Sequence, residues 1–249
     1  MELEERAAAP LAGGLMRGHQ CGQLWGAALA AGAQAYRLLG PGPQAEAAAV
    51  IASQRIVEAF RRRNKEIDCR ELTGIEIGEI QEQAMRTFLK MVVGGKIVRC
   101  FSMSASSAHI ASREIAATLS EPPAETPAAP VSCAAVLARK MGLSDTQTVM
   151  AAGFAGGIGL SGGACGALGA AFWALGMRNI EKHVESLGLE IPGAFALIDK
   201  FVEVSGGEFE CAGIVGREFE DVNDHARYVA EGGCSKMIEI LAATGGGGR

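Results

Sequence analysis

The residues with the most chemistry to offer are seven cysteines, Cys21, Cys69, Cys100, Cys133, Cys165, Cys211 and Cys234. A thiol can ligate a soft metal, carry redox equivalents or simply fill a core. The start, Met1-Glu2-Leu3-Glu4-Glu5-Arg6, is acidic where a secretory signal would be basic and then apolar. The odd count and the missing signal argue against a disulfide framework and predict a reducing, cytoplasmic setting. In the second half, Cys133, Cys165 and Cys234 are expected in the first turn of a helix. Free backbone N–H groups and the positive dipole end should lower a thiol pKa there. Cys211 is expected in a loop. The separations of 32, 46 and 23 residues contain no CxxC. Three uses therefore remain open on spacing alone: metal ligands, redox thiols or buried structural cysteines.

Other side chains offer less. His19 precedes Cys21 by two residues and is either an additional ligand or a solvated loop histidine. His109, His183 and His225 have no partner pattern, and Met85, Met91 and Met103 read as core. Gly153-Phe154-Ala155-Gly156-Gly157 precedes a helix without the Lys-Ser/Thr of a phosphate loop. The Ser/His/Asp and HExxH patterns are also missing.

The elements that must position the cysteines occur twice. Ala12-Gly13-Gly14-Leu15 recurs as Ala155-Gly156-Gly157-Ile158, an offset of 143. Gly18-His19-Gln20-Cys21-Gly22 recurs as Gly162-Gly163-Ala164-Cys165-Gly166, offset 144. Asp68-Cys69 with Gly74 recurs as Glu210-Cys211 with Gly216, offset 142, and Cys100 matches Cys234 at 134. Offsets that drift by a residue are what small loop changes produce, so the chain reads as a tandem duplication. Residues 120–130 hold four of the eight prolines and read as an extended linker. The expected modules are 1–119 and 131–249, the first lacking the initial helix and its cysteine. One four-cysteine site per chain is therefore expected, in 131–243. The uncovered face of the first module would serve as a packing or self-association surface.

Capping signals place helices in the second half. Pro130 and Ser132 open one that stops at Gly142, and Ser144-Asp145-Thr146-Gln147 is a capping box opening the next. Further helices are expected over 164–175, from Pro192 to 205, over 221–231 and up to 243. Val149–Met177 is uncharged, but its nine glycines should divide it into a buried helix pair rather than a membrane span. Aromatics are 5% and Gly contributes 34 residues, which favours closely packed helices and an all-α fold. The net charge of −5 gives no reason to expect nucleic acid. Arg61-Arg62-Arg63 reads as a solvated helix C-terminus, and the glycine tail 245–249 as disordered.

The second half resembles the redox-active protein family labelled C_GCAxxG_C_C. The resemblance rests on Ser132-Cys133-Ala134-Ala135, Gly153 to Gly159, Cys165-Gly166-Ala167-Leu168, Cys211 and Cys234. It covers 131–243 in full and about 7–118 in part, where Cys69 to Ile75 matches the third-cysteine segment. Two positions depart: the motif's closing Gly is Ala170, and its Ala is Gln23 in the first half, where Gly26 is kept. The resemblance implies a helical redox module, with relatives in which the cysteines hold an iron–sulfur cluster beside c-type haem. Covalent haem is not expected here, because CxxCH does not occur. The implied function is electron transfer or sensing through an iron–sulfur cluster on Cys133, Cys165, Cys211 and Cys234, with an unknown redox partner. Cys21, Cys69 and Cys100 are candidates for a second, incomplete ligand set. The alternatives are a metal-free thiol–disulfide protein and a helical scaffold.

Overall fold

The computed structural model describes residues 2–74, 96–121, 127–183 and 191–246. The described residues are helical, with no strands and only two isolated antiparallel bridges. In the first half these are α1 (Glu2–Arg6), α2 (Gly22–Leu39), α3 (Pro43–Asn64), α4 (Cys69–Thr73) and α5 (Lys96–Ser120). The second half has α6 (Cys133–Lys140), α7 (Asp145–Ala152), α8 (Gly166–Glu181), α9 (Ala194–Ser205), α10 (Cys211–Val215), α11 (Val222–Ala230) and α12 (Ser235–Gly245). The order α1, α2, α3, α4, α5 repeats as α7, α8, α9, α10, α12, with Cys21 and Cys165, and Cys69 and Cys211, at matching helix starts. Helix α6 has no counterpart among the described residues of the first half.

Local sequence explains the ends. Ser144 and Gln147 form the capping box that starts α7, and Asp221 accepts from the Asp224 N–H at 2.8 Å to start α11. Arg61, Arg62 and Arg63 lie in the last turn of α3, where cations suit the dipole. The uncharged segment 149–177 is broken between Ala152 and Gly166, and no described helix is long and apolar enough to cross a membrane. One expectation fails: α8 does not stop at Gly176 but runs to Glu181. Gly176 is kept by packing, since a Cβ there would lie 2.8 Å from the Ala7 carbonyl oxygen. Met103 is buried as expected, whereas Met85 and Met91, residues 122–126 of the linker and the last three of the tail lie outside the described residues.

The halves share one core. Trp25 of α2 and Trp173 of α8 are both fully buried in it. A Cβ on Gly169 would come within 2.2 Å of the Trp25 ring, so the glycine in α8 is what admits the large side chain. The tightest link is Gln20, fully buried and inserted into the second half's loop. Its Nε2 donates to the Gly157 carbonyl at 2.8 Å and its Oε1 accepts from the Ala164 N–H at 2.8 Å.

Candidate functional site

Each half builds its cysteine nest with the same backbone device. A glycine-rich loop leads into a two-residue antiparallel bridge, Gln20 with Asp68 and Ala164 with Glu210. In the first half the Cys21 N–H donates to the Ile67 carbonyl at 2.8 Å, and the Cys69 N–H to that of His19 at 2.7 Å. In the second half Cys165 donates to Phe209 at 2.8 Å and Cys211 to Gly163 at 2.7 Å. The bridge thus draws the start of a long helix against the start of a short one, each with a cysteine at the join. The loops are bent alike. Gly18 and Gly162 turn through φ of +83° and +77°, and Leu15 and Ile158 are held at +56° and +63°. Bulky side chains rarely adopt such angles, so the repeat of that conformation marks a constrained loop.

In the second half four helix starts converge. Cys133 is the first residue of α6, Cys165 precedes α8, Cys211 is the first of α10 and Cys234 precedes α12. Cys211 was expected in a loop, but the bridge starts a short helix at it. Ser132 fixes Cys133: its Oγ accepts from the Ala135 N–H at 3.3 Å and donates to the Ala152 carbonyl at 3.0 Å. The Cys133 and Cys234 thiols share a hydrogen bond, and Cys133, Cys165 and Cys211 act on one another electrostatically. The first half gathers Cys21, Cys69 and Cys100 in the same way. There the match with Cys234 is looser, because Cys100 lies five residues into α5 and is exposed.

The helix starts do not lower the pKa of Cys133 or Cys165, which corrects the sequence expectation for both. Burial pushes Cys165 and Cys21 up to about 12, against the N–H groups of Ala167 and Leu168 at Cys165 and of Gln23 at Cys21. Burial also raises Cys211 and Cys69. Cys133 rises through its hydrogen bond to Cys234 and through burial. Desolvating an anion costs more than the helix end returns. Among the described residues no group of three His, Cys, Asp or Glu side chains converges as the ligands of a metal ion would.

His225, unmarked by the sequence, lies beside Cys133. Its ring is 1% exposed, Nδ1 sits 3.0 Å from the Val131 carbonyl, and Phe219 packs edge-on at 4.8 Å. A carbonyl can only accept, so Nδ1 carries the proton and Nε2 keeps its lone pair. The side chain also shares a hydrogen bond with Cys133. Burial alone would lower the His225 pKa, but the interactions with Cys133 and the Val131 carbonyl outweigh it and the value rises. Tyr228 stands in the field of Cys234, Cys211 and Cys133, and burial first, then those charges, raise its phenol pKa. No motif spacing links 225 or 228 to the cysteines; the signal is their one-turn separation on a helix that ends just before Cys234.

His19 is half-buried rather than in water. It stacks on Phe209 at 5.5 Å and lies 3.7 Å from Glu210, with its pKa lowered chiefly by burial. It is therefore a neutral packing residue where the halves meet.

Two repeated cysteine nests on one backbone device match one family model, described as "Putative redox-active protein (C_GCAxxG_C_C)", over residues 2–113 and again over 131–244. The chain belongs to the C_GCAxxG_C_C family. Both halves match, so the chain is a tandem duplication of the family domain. No curated protein and no solved structure matches it. At the two departures from the family motif, Ala170 follows Gly169, which lies against Trp25, and Gln23 turns its amide to the Cys100 carbonyl at 3.2 Å and to Ser104 at 2.8 Å.

Proposed function

We propose that the second-half nest holds an iron–sulfur cluster through Cys133, Cys165, Cys211 and Cys234, and that the protein passes single electrons through it. The observation that carries this reading is the gathering of four cysteines at neighbouring helix starts, Cys133, Cys165 and Cys211 buried and Cys234 half-buried, with the His225 side chain beside Cys133. Three further facts support it. Thiols raised by burial, as Cys165 is to about 12, stay protonated at neutral pH, which makes poor nucleophiles. A cation placed among them reverses that balance, since metal binding displaces thiol protons. A cluster also spreads its ligands wider than one ion does, which suits side chains not drawn together around a single point. The four side chains must still close on the centre. When bound, such a cluster supplies a reversible one-electron couple. The chain's own residues would exclude water, and the N–H groups of Ala167 and Leu168 would stabilise the Cys165 sulfur.

Anaerobic purification under reducing conditions tests this by iron, acid-labile sulfide and visible absorbance per chain. Cys165→Ser should remove all three signals while far-ultraviolet helicity persists. A colourless, iron-free wild-type protein after reconstitution with iron and sulfide would end the reading.

The Cys133–Cys234 hydrogen bond favours a second reading, a dithiol–disulfide couple. Oxidation would form one S–S bond and release two protons and two electrons to an acceptor. Thiol titration before and after mild oxidant, with peptide mapping, separates the two: loss of two thiols confined to Cys133 and Cys234 in metal-free protein supports the couple.

A further inference from the structure

Helix α6 occupies a definite place. It lies along α8 and α12, with Ala134, Leu137 and Ala138 buried, and at its end Met141 packs against Gly245. Arg178 of α8 clasps the Met141 and Gly245 carbonyl oxygens. The α8 positions beneath it, Ala167, Ala171 and Ala174, are at most 1% exposed.

In the first half the corresponding helices are α2 and α5, and between them runs an open groove of about 760 Å³. Its floor carries the matching residues: Gln23, Ala27 and Ala30 stand where Ala167, Ala171 and Ala174 stand in α8. Ala27 is half-buried and Ala30 exposed, and Leu38 at the far end is 59% exposed. From Gln23 to Leu38 the floor is about 22 Å long at 1.5 Å per residue, room for four turns of helix.

We propose that this groove binds, in trans, a partner helix of the α6 kind: a small-residue apolar face led by a cysteine in its first turn. The occupant is inferred from the duplication, which shows in the same molecule what fills the equivalent groove. Docked as α6 is, the helix sets its cysteine beside Cys21 and Cys100, as Cys133 stands beside Cys165 and Cys234. The role of that thiol as a fourth ligand rests on the metal reading above; the docking does not.

The test uses the full-length reduced protein and a fluorescein-labelled peptide of its own residues 128–143, read by anisotropy. Saturable binding is expected, weakened about tenfold or more by Ala30→Trp, since overpacking a filled groove is strongly unfavourable. Ala30 is exposed, so that variant should keep the wild-type melting profile. A Cys133→Ser peptide should bind equally well, because packing drives docking, and that result would stand even if no iron is ever found. Lack of saturable binding, or binding indifferent to Ala30→Trp, overturns the proposal. So does self-association of the chain that Ala30→Trp abolishes and the peptide cannot compete, which would assign the groove to a second copy.

Discussion

The two halves share a backbone device but not a completed nest. Both join a cysteine-led long helix to a cysteine-led short one through the same pair of hydrogen bonds. Only the second half adds Cys133 on its own helix, His225 beside it and a cover over the small-residue face. The first half has an exposed Cys100 and an open groove where that cover would lie. The bridge is therefore the invariant part of the design. Completeness of the site comes from the flanking helices, which can be lost without disturbing it.

The largest expected effect breaks the comparison chemically. Cys165→Ser should remove essentially all bound iron and colour, whereas Cys21→Ser should leave both nearly unchanged, measured on anaerobic protein. Equal losses from the two variants would mean that the halves are equivalent sites.

Next comes the contact between the halves. Gly163→Ala should cost about 3 kcal/mol or more in urea unfolding, because its Cβ would fall 1.7 Å from the Gln20 Nε2. Gln20→Ala should cost about 1–3 kcal/mol, leaving the Ala164 N–H buried without a partner while Ser161 still donates to the Gly157 carbonyl. The two losses should not add, since the smaller side chain vacates the clash. Strict additivity would show that Gln20 does not link the halves.

The pH dependence sharpens the nests themselves. A thiol raised from about 9 to about 12 stays protonated in the native chain while the unfolded chain ionises. The unfolded state then binds fewer protons, so metal-free stability should fall as pH rises from about 9 through about 12. For Cys165 the loss is on the order of 4 kcal/mol across that window. Chemical unfolding of the metal-free protein should show this slope, and Cys165→Ala should flatten it. A slope unchanged in that variant would place the titration elsewhere.

The smallest effect compares one position in each half. Ala174→Leu should cost about 1–3 kcal/mol by overpacking beneath α6, whereas Ala30→Leu should be neutral to within about 0.5 kcal/mol. Thermal melts of the two variants check it, and equal losses would mean that the groove is not open in solution.

The residues that were legible in the sequence are those whose role is local. Ser132 and Ser144 announce helix starts because a cap acts within one turn, whereas Pro192, expected in a first turn, lies two residues before α9, which Gly193 caps. The cysteines, spread across the chain, were legible through the duplication and the family resemblance. What stayed hidden depends on neighbours far along the chain. The direction of the thiol shifts was misread, since helix starts are visible in sequence while the burial that outweighs them is not. His225 gave no signal, because its partner Cys133 is 92 residues away. Gly176 looked like a helix stop, although it is conditioned by Ala7 across the core. Gln20 seemed an ordinary loop residue, and its two partners lie in the other half.

That glutamine also decides which modules can be joined. The second half carries Ala164 at the matching place, so two second halves packed face to face would leave the buried Ala164 N–H unanswered. Against Gly163 of the second half, by contrast, only a chain with no side chain in the way leaves room for Gln20. The duplicated copies have thus become a lock and its key: each is fitted to the other rather than to its own duplicate, and fusion in one polypeptide supplies them in a one-to-one ratio.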